Sequence, residues 1–342
     1  MAGNDTTTAT PGADMPGVVR AAATWWGDHA AAQFGLLAGT LLLFAVLGAN
    51  TLENMERFGI RPGFEFLHRA ANFEIGESLV AYSAGDTYGR ALLVGLLNTA
   101  KVAALGCLLA TVLGLALGIA RMSGNLLLSG IVQVYVELVR STPLLLQLFF
   151  WSATLHALPG PRQAFQPVAG VFLCNRGVFL PALRLDPLGW DVPQLAGFNF
   201  TGGATLTPEF AALLIGLAVN AAAGIAEIVR SGVQSVPAGQ WEAARALGLP
   251  RRRILRLVVL PQALRVIVPL LTSSWLSLTK NSSLAVAIGF PDLVSVINTS
   301  ANQTGQALET MAILAAAYLT LSLGVSVAMN AWNRRLARRG WR

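Results

Sequence analysis

Apolar residues in this chain come in long unbroken runs, not at the spacing of 2 or 3.6 by which a soluble element turns one face toward a core. A hydrocarbon layer needs about 20 mostly apolar residues per crossing helix. Six runs reach that length, at about 31–50, 91–120, 127–156, 207–229, 263–288 and 309–332. The pattern predicts an all-α polytopic membrane protein, with a core of five crossing helices over 88–333 and one accessory helix over 31–50.

The polar stretches between the runs divide the rest. Residues 1–30 are rich in Thr, Ala, Gly and Pro and read as a disordered leader. Residues 51–87 form a segment of mixed charge, set between the accessory helix and the core. The stretch 157–206 is punctuated by Pro159, Pro161, Pro167, Pro181, Pro187 and Pro193 and holds no further span. Its apolar pieces, 171–173 and 178–183, are short enough to lie on the membrane interface or to pack over the outer mouth.

Composition supports this reading and narrows it. Of the 342 residues 54% are hydrophobic and 12% charged, and the mean hydropathy is +0.58. The first apolar run has no basic stretch just before it and no small-x-small cleavage site after it, so it reads as a retained helix, not a signal peptide. Two cysteines, Cys107 in a run and Cys174 in a loop, are too few for a disulfide framework or a metal site.

The formal net charge of +7 is unevenly spread, which argues against a nucleic-acid-binding face. Arg230, Arg245, Arg251, Arg252, Arg253 and Arg256 fall in one polar loop, and Arg334, Arg335, Arg338, Arg339 and Arg342 in the tail at 334–342. Positive charge marks the cytoplasmic side. With six crossings, the N-terminus is then cytoplasmic as well, and 51–88, 157–206 and 289–308 lie outside. The acidic residues Glu53, Glu56, Glu65, Glu74, Glu77 and Asp86 agree with that placement.

The arginine-dense loop at about 231–262 carries the most specific pattern. Glu242, Ala243 and Ala244 are followed by Gly248 and then, after nine residues, by Val258, Leu260 and Pro261. Glu242 to Leu247 reads as a short helix, Gly248 as its left-handed cap, and Pro250 as the first turn of a second helix. Leu260-Pro261 then sets the angle at which the next membrane helix starts. Helix, glycine turn and helix make a compact knob suited to transmitting force.

Three more motifs sit in or beside the runs. In Glu137-Leu138-Val139-Arg140-Ser141-Thr142-Pro143, Glu137 and Arg140 lie three apart near the cytoplasmic end of a run and can neutralise each other. Pro143 should kink the helix beyond them, and Gln147 lies a turn further in. The pair reads either as a structural ion pair or as a gate. Lys280-Asn281-Ser282-Ser283-Leu284 places four polar residues in sequence at membrane depth, which implies contact with protein, water or substrate. Those residues either line a path for a zwitterion or bond helices at a subunit interface. The other lysine, Lys101, reads as a snorkelling residue near the outer end of its helix. Ala226-Glu227-Ile228-Val229-Arg230-Ser231-Gly232 precedes the knob, with Glu227 and Arg230 as an interfacial pair.

The loop resembles the EAA loop of membrane subunits of ATP-binding-cassette importers, with Val258 where Ile is usual. The other motifs are similar to the E-x-x-R-x-T-P, K-[ND]-[ST]-S-L and AEIVRxG segments of polar amino-acid permeases in that superfamily, and together they resemble the general L-amino-acid type. The resemblance implies a type I importer core that carries L-amino acids through a bacterial inner membrane. Glu242, Ala243, Ala244, Gly248, Leu260 and Pro261 would couple to the motor. Glu137, Arg140, Thr142, Pro143, Gln147, Lys280, Asn281, Ser282 and Ser283 would form the path or its gate. The implied partners are a cytoplasmic ATPase dimer, a second permease subunit alike or homologous, a periplasmic amino-acid-binding protein and the lipid bilayer.

The chain has no G-x-x-x-x-G-K-[ST] phosphate loop, so ATP and Mg would sit on the separate ATPase and no cofactor on this chain. No catalytic constellation accompanies the three histidines, so the chain reads as a non-enzyme. The alternative from another class is a secondary transporter driven by an ion gradient, with Glu137, Arg140 and Lys280 as coupling residues. That reading expects inverted repeats and paired broken helices, and neither is visible.

Overall fold

A computed structural model describes residues 30–57, 63–185 and 188–339. The expected leader therefore lies outside the described residues, apart from Ala30. The chain divides into two compact units, Met1–Pro62 and Gly63–Arg342. In the first, α1 (Ala30–Arg57) is apolar, and none of its most apolar stretch is buried against protein. A helix with so much exposed Leu and Phe needs lipid or other protein around it.

The second unit is built from α2 (Tyr88–Arg121), α3 (Leu126–Ser141), α4 (Leu144–His156), α5 (Pro208–Gln234), the short α6 (Ala238–Ala246) and α7 (Arg251–Ile254), α8 (Leu260–Asn281), α9 (Leu293–Thr304) and α10 (Ala307–Arg339). Counting α1, five helical stretches among the described residues are long and apolar enough to cross a membrane. The expected run 127–156 is a broken pair, α3 and α4. The expected outer loop 289–308 contains α9.

Helices α2 and α5 make the most extensive pairing. Small residues allow it: a Cβ on Gly114 would come within 2.5 Å of Ile225, and one on Gly118 within 2.8 Å of Val229. Without a hydrophobic drive between helices in lipid, such close backbone approach supplies the dispersion contact that holds a bundle. At the end of this seam Glu227 of α5 bonds both Arg230, as the sequence suggests, and Arg121 of α2.

The segment 63–87, read from sequence as a stretch apart from the core, packs onto it. Phe66 and Ala71 join Tyr88, Leu92, Leu293 and Ile297 in one buried cluster. Glu77 accepts a 2.6 Å bond from Lys101 and another of 2.6 Å from Thr207. Lys101 is thus not a snorkelling residue. It stands 13 residues into α2, about 20 Å along, with its ammonium 4.1 Å from the Phe210 ring centroid.

The insertion before α5 departs from an all-helical reading. It holds a four-stranded sheet of order β1-β2-β3-β8 (Phe165–Val168, Val171–Cys174, Gly177–Leu180, Ala204–Leu206). Two hairpins follow β3, pairing β4 (Ala182–Leu185) with β5 (Leu188–Asp191) and β6 (Gln194–Ala196) with β7 (Asn199–Thr201). Among its described residues no helix is long and apolar enough to cross a membrane, as expected. Cys174 and Cys107 are both buried and unpaired, acting as small apolar residues.

Candidate coupling knob and translocation cavity

The loop after α5 folds as a knob with its own core. Helix α6 ends at Ala246 with Leu247 as its C-cap, and Gly248 takes φ +71°. Leu249 N–H donates to Ala244 O at 3.3 Å and Gly248 N–H to Arg245 O at 2.9 Å, the two bonds of a Schellman cap. Pro250 caps α7 from outside, one position before the expected first turn. A π-turn over Leu255–Val259 then leads into α8. Pro261 follows directly after this π-turn, whose Leu260 N–H donates to Leu255 O, at the start of α8.

Beneath the cap, Ala244, Ile254 and Val259 pack with Val236, Ala263 and Ile267. The cluster joins knob, α5 and α8 into one body, and a Cβ on Gly232 would meet Ile267 at 2.3 Å. Of the EAA residues, Glu242 and Ala243 are exposed and Ala244 is buried. Leu247, beside the glycine, is 79% exposed. An apolar side chain at the tip of a charged loop is a natural anchor for a partner groove. The sequence reading missed it because a leucine after an alanine-rich helix looks like core.

The break between α3 and α4 is a built feature. Thr142 and Pro143 are extended, as proline requires of the residue before it. Side chains meet three of the carbonyls at the break: Thr142 Oγ1 donates to Leu138 O at 2.8 Å, and Gln147 Nε2 donates to Val139 O at 2.9 Å and Thr142 O at 3.0 Å. Irregular backbone at membrane depth persists only where its polar groups are satisfied in this way. Gln147 is buried and serves the break.

Glu137 and Arg140 do not form the expected pair. Three residues turn a helix by about 300°, leaving the two side chains about 60° apart, and here that sends them to different openings. Glu137 lines one with Gln133 and Ser141. Arg140 lines a cavity of about 460 Å³ between α3, α5 and α8, with Asn220, Ser273, Ser274, Ser277 and Asn281 as its other polar residues. The wall carries no carboxylate, and no acidic group among the described residues lies within ion-pair distance of Arg140. Arg140 lies in the last turn of α3, about 21 Å from that helix's start and next to the break, and it is exposed.

Lys280 to Ser283 are also divided. Asn281 faces the Arg140 cavity. Lys280 and Ser283 line a separate groove against Tyr318 and Ser322 of α10. Ser282 is buried, its hydroxyl donating to Thr279 O at 2.8 Å. The expected single polar lining is therefore replaced by two faces of one helix end. Ser273, Ser277 and Asn281 recur every four residues along α8, a polar stripe the sequence holds in plain view. Asn220 is an isolated polar residue in an apolar run, the second signal that went unread.

Residues 110–339 match the family of binding-protein-dependent transport system inner membrane components. The chain is 45% identical to the putative amino-acid ABC transporter permease protein YhdX of Escherichia coli K12, covering 84% of this chain and 88% of that protein. It is 41% identical to the general L-amino acid transport system permease protein AapQ of Rhizobium johnstonii, over 84% and 87%. A crystal structure of an amino acid ABC transporter with histidines is 27% identical, with a TM-score of 0.54 over 72% of this chain and 95% of that one. With a broken membrane helix, a polar cavity and a capped knob in one bundle, and with two thirds of its length matched, the chain belongs to the family of binding-protein-dependent transport system inner membrane components.

Proposed function

We propose that this chain is a permease subunit that moves L-amino acids inward, coupled through its knob to a separate cytoplasmic ATPase. A second permease copy or homologue completes the path, and a periplasmic binding protein delivers substrate. The knob and the arginine-rich end of α10 face the cytoplasm of a bacterial inner membrane. The observation that carries the reading is the Arg140 cavity. Its volume of about 460 Å³ falls within the range of about 300–1,000 Å³ of small-molecule sites. Its wall offers one guanidinium, which binds carboxylate in a bidentate fork, and hydroxyl and amide oxygens for an ammonium.

In this reading Arg140, Asn220, Asn281 and the three serines form the substrate surface. Thr142, Pro143 and Gln147 form the hinge beside it, and Glu137 belongs to neither. Glu242, Ala243, Leu247 and the exposed arginines of α7 meet the ATPase, while Ala244, Gly248, Leu260 and Pro261 shape the knob. ATP and Mg act on the partner, and ATP energy enters as differential affinity for inward- and outward-open states.

Arg140→Gln tests the site. Losing a charge-assisted contact worth about 1.5–3 kcal/mol should lower kcat/KM for uptake roughly tenfold to a hundredfold, with basal ATP hydrolysis retained. Unchanged uptake in proteoliposomes would remove Arg140 from the path.

A further inference from the structure

Glu77, on the segment before α2, is tied to the far ends of both long helices that wall the Arg140 cavity. Helix α5 runs from its cap, Thr207, toward the knob, and α8 runs back from the knob to Asn281. Both line the cavity, α5 through Leu217, Asn220 and Gly224 and α8 through Ser273, Ser277 and Asn281. At the ends away from the knob, Glu77 reaches each helix by a different route. Its carboxylate accepts from Lys101 and from Thr207, whose own hydroxyl caps α5 by accepting from Phe210 N–H at 3.2 Å. Its backbone carbonyl accepts from Asn98 Nδ2 at 2.7 Å. The same amide donates to Pro291 O at 2.9 Å, in the loop that follows α8 and its 3₁₀ turn (Ser282–Ile288). Phe210 and Phe290, both fully buried, close the joint with ring centroids 5.6 Å apart.

Packing alone does not hold this end of the bundle in the way it holds the other. The glycines that let α2 approach α5 closely, Gly114 and Gly118, stand toward the knob, whereas Gly95 and Gly106 receive Leu293 and Leu278 from other elements. The chain of Lys101, Glu77 and Thr207 ties α2 to α5 where glycine packing does not. A matching tie, Arg121 to Glu227, stands 20 residues further along each helix, about 30 Å away. The side chains of Glu77 and Lys101 are 12% and 21% exposed, so the pair escapes most of the solvent screening that weakens surface ion pairs.

We infer that Glu77 is a positioning residue for transport, holding the ends of α5 and α8 at a fixed separation so that the Arg140 cavity is formed before substrate arrives, a role that stands on the transport reading of that cavity. Glu77 does not line the cavity; it acts through Thr207 and Asn98. A site formed only part of the time binds with an affinity reduced by the fraction formed, so loosening the joint weakens binding.

The test is a double-mutant cycle in the complete complex, permease with ATPase and binding protein, in proteoliposomes. Glu77→Gln leaves the Lys101 ammonium uncompensated, Lys101→Met does the same to the carboxylate, and the double variant leaves neither charge behind. Both single variants and the double should raise KM for uptake several-fold with kcat near the wild-type value, while Lys101→Arg, which keeps the charge, should stay near wild type. Wild-type KM in the double variant would mean that the pair only balances charge, and overturns the inference. So does a fall in kcat with KM unchanged, the mark of a smaller folded fraction. Hydrogen exchange in the same complex should rise in the double variant at 210–214 and 290–293 and stay unchanged at 114–118. Exchange raised throughout, or unchanged at both ends, overturns the inference as well. A wild-type complex that takes up no amino acid would sink the transport reading, and the exchange result would still decide whether Glu77 holds the joint.

Discussion

Gly248 shows how much one residue carries at the knob. A Cβ there would meet nothing within 4 Å, so the penalty of a substitution is the left-handed backbone alone, about 1–2 kcal/mol and worst for a β-branched residue. Gly248→Val should tilt α7 against α6 and lower the ratio of amino-acid uptake to ATP hydrolysis several-fold. Gly248→Asn, which tolerates the same φ, should lie between it and the wild type. Normal coupling in the valine variant, read by paired uptake and phosphate-release assays, would remove the cap from the mechanism. This glycine was legible because its spacing from Glu242 and Pro261 is written in sequence order. The separation of Glu137 from Arg140 was not, because adjacency on a helix does not tell which neighbouring helix offers each side chain room.

At the scale of elements, α9 is the instructive case. Its polar composition hid it among loops, yet Leu293, Val296, Ile297 and Ser300 are buried with helical spacing. Asp292 caps its N-terminus and Gly305, at φ +72°, ends it. Burial pushes the Asp292 carboxyl up from 3.8 to about 6, against the pull of the Ser295 and Val294 N–H groups. The native state therefore holds a proton that the opened segment releases, and stability falls as pH rises from about 4 through 6. Hydrogen exchange of the α9 amides, corrected for intrinsic rates, should show protection declining over that window and flat in Asp292→Asn. A protection that rises with pH would reverse the assignment. The eight short strands of the insertion escaped for a different reason: at three or four residues each, they are too brief to display a period of two.

At the scale of the whole molecule, the glycine-sealed α2–α5 pair, the Glu227 bridge and the cluster beneath the knob join the knob to the helical bundle as one body. The Thr142–Pro143 break and the polar stripe of α8 are exposed, and the stripe lines the Arg140 cavity. A motor that moves the knob would thus move the cavity wall with it. Long apolar runs and the EAA spacing made the membrane fold and the knob readable from sequence. The cavity was only half readable, because its polar residues come from three helices and no single stretch holds them. The measurement that bears most directly on this account is accumulation of labelled L-amino acids in proteoliposomes, with the purified complex, binding protein at the outer face and nucleotide at the knob face. ATP should drive accumulation without any ion gradient, and a nonhydrolysable analogue should not. Accumulation that follows an imposed ion gradient and ignores ATP would contradict the account and favour a secondary transporter.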